Sequence, residues 1–266
     1  VLDIATTTIM QYLADLLLPF MRISGLFASM VGLSAKSVTP PTRALLTLFF
    51  TLVIMPVIPP VPIPASEVFS VGTFMLVIQQ LIIGIALGFL SNMVLNTFVL
   101  AGQIVALQTG LGFASIVDPV NGINVPAVGQ FYLILATLLF WALDGHLAMI
   151  RMVVMSFEAF PIGVAWFAPE QFRDIAHWAG WMFISAVTIS LAPIVSLLIV
   201  NLAFGVMTKA APQLNIFAVG FPLALAVGWL VLALAVPFFT PVLERMIYDG
   251  FSMMMEIVNL PDIIFP

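Results

Sequence analysis

"VFSVGTFMLVIQQLIIGIALGFLSNMVLNTFVLAGQIVAL", residues 68–107, contains no ionisable side chain. A helix needs roughly 20 apolar residues to cross the hydrocarbon of a bilayer. This run therefore predicts a membrane protein, but it is nearly twice as long as one span requires. Three structures fit such a length: one very long helix, a hairpin broken near Ser91 and Asn92, or a helix that extends beyond the bilayer.

The rest of the chain has the same character. Of its 266 residues, 63% are hydrophobic and 7% are charged, against roughly a quarter charged in soluble domains. The apolar runs are continuous rather than alternating, which favours helices over a membrane barrel. They cover approximately residues 9–33, 44–58, 68–107, 127–150, 176–206 and 216–243. We predict an all-α, polytopic membrane protein of about six spans, the first of them retained rather than cleaved as a signal peptide.

Prolines predict where the helices are interrupted. An extended linker is expected at Pro56, Pro59, Pro60, Pro62 and Pro64. Kinks or breaks are expected where proline falls inside or at the end of an apolar run, at Pro193, Pro222, Pro237 and Pro241. Lysine and arginine divide equally between the two sides of a six-span chain, so the positive-inside rule gives no orientation.

A line of small and amide side chains runs through the longest apolar stretch at four-residue spacing. Its members are Gln80, Gly84, Gly88, Asn92 and Asn96. Small residues let helices approach closely, and amides can hydrogen-bond across the contact. The line predicts either packing within this chain or a seam against other subunits.

Two charges fall in the first apolar run. Asp15 and Arg22 lie seven residues apart on one helix face, about 10 Å along the axis and too far for an ion pair. An intramembrane charge indicates a functional site by default, and burial against another polar group is the alternative.

The motif "LDGH", residues 143–146, places Asp144 and His146 at the end of a predicted span. A carboxylate and an imidazole could bind a metal or relay protons, but the other histidine is His177, and a metal site needs more ligands. A polar turn at a capped helix end is favoured. The chain has no cysteine and no hydrolase or nucleotide-binding motif.

The stretch "LQTGLGFASIVDPVNG", residues 107–122, separates two apolar runs. Glycine permits unusual backbone angles, and the Asp118–Pro119 step stops a helix. The stretch predicts a mobile loop that lies in protein or lines a watery cavity, because lipid would leave its peptide groups unsatisfied. Phe113 would then form part of an apolar gate, although a simple connector between spans fits equally.

Three segments together resemble the FliR family, the flagellar branch of the type III export-gate membrane proteins, which is related to the injectisome SctT branch. They are "GLGFASIVDPVNG" at 110–122, "LDGH" at 143–146 with "SFEAFPIG" at 156–163, and "KAAPQLNIFAVGFPLALAVG" at 209–228. The resemblance covers most of the chain in one order.

This resemblance implies a subunit of a right-handed helical assembly around an export channel. FliP and FliQ would be its partners, FlhB would dock at the cytoplasmic side, and unfolded flagellar proteins would be the cargo. Residues 1–175 would form a FliP-like part, and residues 176–266 a FliQ-like hairpin and tail. The location implied is the bacterial cytoplasmic membrane at the flagellar basal body.

The resemblance also assigns roles to residues. The family's channel plug maps onto Gly110, Gly112, Phe113, Ala114 and Ser115, ending at Asp118 and Pro119. Other polar family positions map onto Asp144, His146, Lys209, Pro212, Gln213 and Asn215. Lys209 replaces a frequent arginine and lacks its bidentate geometry, and Ala224 replaces a lysine and carries no basic group.

The sequence therefore predicts a structural export-gate subunit without catalytic residues, cofactor or metal. One alternative is an ion- or proton-coupled secondary transporter that uses Asp15, Arg22 and Asp144. Another is an intramembrane enzyme centred on Asp118 or Asp144. Association with other small membrane proteins distinguishes the first prediction from both.

Overall fold

The fold was taken from a computed structural model, which describes residues 2–35, 38–61, 64, 68–113, 115–117, 124–164, 167–210 and 216–257. Seven helices are present in these ranges: α1 (Leu2–Ser29), α2 (Pro40–Ile54), α3 (Val71–Thr109), α4 (Ala127–Ala142), α5 (Gly145–Ala159), α6 (Pro169–Ala210) and α7 (Ile216–Ile257). Short 3₁₀ turns cover Met55–Val57 and Leu111–Phe113, and two strands, β1 (Ser115–Val117) and β2 (Asn124–Pro126), pair with each other. The predicted all-α class is confirmed apart from this small ribbon.

The long apolar run forms one uninterrupted helix, α3, of 39 residues. At 1.5 Å per residue it is about 58 Å long, nearly twice the hydrocarbon thickness. A hairpin broken near Ser91 and Asn92 is therefore wrong. The Ser91 hydroxyl donates to the Gly88 carbonyl of its own helix at 2.7 Å, so this polar side chain is satisfied without a break.

The helices also continue through their prolines. α6 contains Pro193, and α7 contains Pro222, Pro237 and Pro241. Of the two outcomes expected there, a break is wrong. Proline removes one backbone hydrogen bond, and a membrane helix tolerates this loss where neighbouring groups satisfy the freed carbonyl. In the predicted extended linker, Pro56 lies instead within the first 3₁₀ turn.

Five helices in the described ranges are long and apolar enough to cross a membrane, or up to six if α4 and α5 together make one span. This agrees with the predicted number. The predicted run 127–150 is interrupted at Leu143 and Asp144, between α4 and α5.

α2 buries polar side chains and exposes apolar ones. Thr47 and Thr51 are buried, and their hydroxyls donate to the carbonyls four residues earlier, at 2.8 and 2.7 Å. The exposed side chains of the same helix include Leu45, Leu48, Phe49, Leu52 and Val53. An apolar outer surface is expected where lipid or protein, rather than water, surrounds a helix.

The chain divides into two compact units. Unit 1 comprises Val1–Asn92, Asp144–Trp178 and Tyr248–Pro266, and unit 2 comprises Met93–Leu143 and Ala179–Ile247. An apolar cluster in unit 1 contains Leu18, Val61, Phe157 and Ile162. Three rings pack together in unit 2, Phe239 lying 4.9 Å from Phe98 and 5.0 Å from Tyr132 between centroids. The predicted division near residue 175 stays a prediction.

Candidate functional site

Arg22 lies at the centre of a polar cluster in unit 1 and is completely buried. Its Nε donates to Gln80 Oε1 at 2.8 Å. Its Nη1 donates to the Ser156 carbonyl at 2.7 Å and to the Ser156 hydroxyl at 3.1 Å, and Nη2 donates to the Phe160 carbonyl at 2.8 Å. The guanidinium carbon lies 4.0 Å from the centre of the Phe157 ring. Arg22 therefore joins α1 to α3 and to the end of α5.

No ion pair is formed by Arg22 among the residues that the structure describes. Its acceptors instead include two carbonyls at the C-terminal end of α5: that of Ser156, which also accepts from the Phe160 amide, and that of Phe160. Those groups carry the negative end of the helix dipole, equivalent to roughly half an elementary charge. The end of α5 thus compensates the buried positive charge, and Phe157 adds a cation–π contact.

Asp15 belongs to a separate contact. Its Oδ1 accepts from the Val61 amide at 3.0 Å and from Gln11 Nε2 at 3.3 Å. Gln11 Nε2 also donates to the Val61 carbonyl at 3.1 Å. Asp15 and Arg22 therefore have different polar partners, as their spacing predicted. Both charges are engaged by polar groups of this chain, Arg22 at a fully buried position and Asp15 at a partly buried one.

The predicted four-residue line faces α1 of the same chain at four of its five positions. A Cβ atom on Gly84 would collide with the Arg22 carbonyl and lie 2.9 Å from the Leu26 amide, and one on Gly88 would collide with the Ser29 hydroxyl. Gln80 accepts from Arg22, and Asn92 Nδ2 donates to the Ser29 carbonyl. Packing within the chain accounts for these four residues. Asn96 belongs to unit 2.

α1 contributes a glycine of its own to this contact. A Cβ on Gly25 would lie 2.5 Å from the Leu81 carbonyl oxygen and 2.9 Å from the Ile85 amide. The Ser29 hydroxyl donates to the Ile85 carbonyl at 3.1 Å. α1 and α3 therefore touch backbone to backbone, which only residues without a Cβ permit.

Asp144 forms the polar turn that the sequence predicted. Its backbone is left-handed, with a φ of 56°, and its carbonyl accepts from Leu147 and Ala148 at 2.9 and 3.1 Å. The Asp144 side chain makes no cap hydrogen bond at the start of α5. His146 lies in the first turn of α5. No group of three or more metal-ligating side chains occurs in the described part of the chain.

The glycine-rich loop joins α3 to α4 in unit 2. α3 ends at Thr109, and Gly110 adopts a φ of 76°, which suits glycine at a helix end. Residues 111–113 form a single 3₁₀ turn. A Cβ on Gly112 would come closest to the far end of the Leu107 side chain, at 3.0 Å, and would make only ordinary van der Waals contacts with the backbone of Ala106 and Leu107. The backbone here is set mainly by the requirement for left-handed geometry at Gly110.

The next part of the loop is paired, and its predicted mobility stays a prediction. β1 and β2 are antiparallel, with partners Ser115 and Pro126, Ile116 and Val125, and Val117 and Asn124. Of the predicted plug residues, Ala114, Asp118 and Pro119 lie outside the described residues, as do the side chains of Phe113 and Ser115. The motif residues Pro212, Gln213 and Asn215 also lie outside them, whereas Lys209 is exposed in the last turn of α6.

A glycine crossing holds the base of the loop. A Cβ on Gly102 of α3 would lie 2.5 Å from the Cα of Gly129 in α4 and 2.9 Å from the Val128 carbonyl oxygen. The Ser190 hydroxyl of α6 donates to the Ala101 carbonyl at 3.1 Å. α3, α4 and α6 therefore meet about two turns before the end of α3 and in the first turn of α4.

Residues 13–250, which include the loop and the Arg22 cluster, match the protein family described as bacterial export proteins, family 1. The flagellar biosynthetic protein FliR of Pectobacterium carotovorum is 35% identical over 91% of each chain, and that of Escherichia coli K12 is 34% identical over the same shares. The chain belongs to the FliR family. FliR of Bacillus subtilis 168 is more distant, at 29% identity over 81% of this chain and 83% of the relative.

Membership of the FliR family confirms the predicted resemblance and assigns the chain to flagellar export. The similar proteins are named as flagellar biosynthetic proteins. The described helices agree with this membership, because five of them are long and apolar enough to cross a membrane, and α4 with α5 could make a sixth span.

Several residues of these contacts were missed by the sequence interpretation. Gln11 and Gly25 in α1 and the pair Gly102 and Gly129 are part of helix contacts. Gly25 could have been found as a small residue on the α1 face that bears Arg22. The acceptors at Ser156 and Phe160 are largely backbone carbonyls, and since every residue carries one, no sequence pattern marks them.

Proposed function

We propose that this chain is a structural subunit of the flagellar type III protein export gate. It would form, with partner subunits, the channel through which unfolded flagellar proteins cross the cytoplasmic membrane. The observation that carries the proposal is the match to FliR relatives over 91% of the chain. In this role the chain binds and guides a passing polypeptide and catalyses no reaction.

The loop between α3 and α4 is the proposed plug of that channel. Gly110, Gly112 and Phe113, with Ala114 and Ser115, would close the path, and Asp118 and Pro119 would end the closing segment. The glycine crossing of Gly102 with Gly129 supports this role, because it fixes the ends from which the loop extends. Phe113 would exclude water and ions when no substrate is present.

FliP and FliQ are the proposed neighbours, with FlhB at the cytoplasmic side, and the proposed location is the inner membrane at the flagellar basal body. The exposed apolar side chains of α6 and α7 support a chain that contacts lipid or protein over much of its surface. They include Phe183, Ile184, Leu198, Leu202, Leu230 and Leu234. The parts before and after residue 175 would correspond to FliP-like and FliQ-like elements.

Co-purification tests the proposal directly. The tagged chain would be expressed with FliP and FliQ and extracted in mild detergent. We expect one stable complex that contains all three proteins, and the same complex from a Gly180→Ala control, whose new methyl group meets no atom within 4 Å. A chain that purifies alone and, after reconstitution, carries an ion flux abolished by Asp144→Asn would overturn the proposal in favour of a transporter.

A further inference from the structure

Unit 1 contains an apolar cleft of about 110 Å³ with two proline-bearing walls. One wall is the linker after α2, with Ile58, Pro59 and Pro60. The other is the end of α5 and the turn that follows it, with Pro161, Ile162 and Val164. The two walls are about 100 residues apart in sequence, so something other than chain connectivity must hold them at a fixed separation.

One residue of the linker, Val61, has both its backbone N–H and its backbone carbonyl hydrogen-bonded to side chains of α1. In the sequence Pro59-Pro60-Val61-Pro62, only Val61 carries an amide N–H. Asp15 accepts from that N–H at 3.0 Å, and Gln11 donates to the carbonyl of the same residue at 3.1 Å. Two side chains one helical turn apart on α1 thus pair with Val61 as a neighbouring strand would.

The other wall is held by the same helix through a different residue. Pro161 disfavours helical geometry at Phe160, and the Phe160 φ and ψ of −122° and 75° are not helical. The Phe160 carbonyl is therefore not used inside α5, and Arg22 donates to it at 2.8 Å. In both walls, α1 binds the carbonyl of the residue that directly precedes a proline.

We infer that α1 carries two independent latches, Gln11 with Asp15 for the linker and Arg22 for the end of α5, which together set the width of this cleft. Asp15 and Arg22 are then positioning residues rather than steps of an ion path. Their seven-residue spacing places them on one helix face and two turns apart. The two latches would hold the cleft whether or not the chain lines an export channel.

The apolar cluster of unit 1, which shares Phe157 and Ile162 with the lining of the cleft, provides a reporter for each latch. Val61 and Ile162 belong to that cluster and are each 5% exposed. The chain has no cysteine of its own, so Val61→Cys or Ile162→Cys introduces a single protected thiol. The tagged chain would be labelled with a membrane-permeant thiol reagent in intact cell membranes and isolated under denaturing conditions, and the labelling rate would be measured.

Each latch predicts its own pattern of labelling. Asp15→Ala should raise the rate at residue 61 by about tenfold, the effect of losing one to two ordinary hydrogen bonds, and should leave residue 162 unchanged. Asp15→Asn retains an acceptor oxygen and should restore the protection. Arg22→Gln should expose residue 162 and leave residue 61 protected. Tyr12→Ala, at an exposed position of α1, is the matched control and should change neither.

Ser156→Ala keeps the arginine and removes one acceptor, so it tests the second latch if Arg22→Gln fails to accumulate. We expect a rise of about fivefold at residue 162 alone. Equal rises at both reporters from Asp15→Ala, or no rise at either, would overturn the inference. The first outcome would make the cleft part of one cooperative core, and the second would make the Gln11 and Asp15 contacts energetically neutral.

Discussion

The helix contacts inside unit 1 differ in kind from the helix contacts inside unit 2. Around Arg22 in unit 1, the close glycine contact of α1 with α3 is reinforced by four hydrogen bonds from one buried cation to an amide, a hydroxyl and two carbonyls. Around Gly102 and Gly129 in unit 2, helices meet chiefly through bare backbone and through the aromatic contacts of Phe239. Separating the first set would leave a charge unsatisfied, whereas separating the second exposes mainly apolar surface.

This difference indicates which helix contacts can shift without a large loss of free energy. A buried charge permits one arrangement, because every alternative loses several hydrogen bonds together. A contact of small and apolar groups has no comparable penalty for a small displacement. The proposed plug extends from the second kind of contact, and the four predictions that follow test that assignment.

The largest effect is expected for Arg22→Met. This change leaves the Gln80 side-chain oxygen and the Phe160 carbonyl without their Arg22 donor and should lower the free energy of unfolding by about 2–5 kcal/mol, because each buried polar group left unsatisfied costs about 1–3 kcal/mol. Thermal unfolding of the purified export complex in detergent measures the change. Arg151→Met, at an exposed arginine of α5, is the matched control. Equal stability of the two variants would show that the cluster is not the anchor of unit 1.

Gly84→Ala should have the next largest effect. Its Cβ would collide with the Arg22 carbonyl and lie 2.9 Å from the Leu26 amide, so α1 and α3 must separate. We expect a loss of about 1–3 kcal/mol, typical of overpacking, in the same unfolding measurement. Gly180→Ala in α6 meets no atom within 4 Å and should instead stabilise by about 0.5–1 kcal/mol through helix propensity.

Gly102→Ala makes the matching change in unit 2. The new Cβ would lie 2.5 Å from the Gly129 Cα, but this contact can relax without disturbing a buried charge. The expected loss of stability is smaller than for Gly84→Ala, about 1 kcal/mol, and is accompanied by an ion leak in cells because the base of the loop is displaced. Stability loss as large as that of Gly84→Ala, with no leak, would remove the distinction between the two units.

Gly112→Ala should have the smallest effect on stability. Its methyl group would meet the end of the Leu107 side chain at 3.0 Å, which can rotate away, and the glycine has no left-handed φ. We expect a change within about 0.5 kcal/mol, as at ordinary surface sites. Gly110→Ala, at a φ of 76°, should cost about 1 kcal/mol or more. Comparable losses at both positions would mean that residue 112 is packed as tightly as the helix crossings.

The sequence predicted that the molecule is a helical membrane protein. It did not predict features that depend on contacts with residues distant in sequence. The length and apolar character of residues 68–107 are enough to predict a membrane protein, and "LDGH" is enough to predict a polar turn, but not the left-handed backbone of Asp144. Whether a proline breaks a helix depends on what surrounds the freed carbonyl, so the continuity of α7 could not be read from its three prolines. The pairing of β1 with β2 arises because α3 and α4 bring the loop ends together, and three-residue strands have too little pattern to be recognised.

The candidate site was predicted only in part, because its contacts also join segments that are distant in sequence. The positions of Gly84, Gly88 and Asn92 in one line correctly indicated a close helix contact, but a small-residue line carries no mark of its partner. That partner is α1 of the same chain. Burial of Arg22 was among the predicted outcomes, whereas compensation by the end of α5 required knowledge of where that helix stops.

The most direct measurement of the central claim is the permeability of the cell membrane to small ions when residues 112–115 are deleted, recorded together with secretion of flagellar proteins. A movable plug on a fixed base predicts an ion leak with export retained and with the export complex intact. No leak, together with lost secretion and a complex that fails to assemble, would contradict the account and make the loop a structural connector.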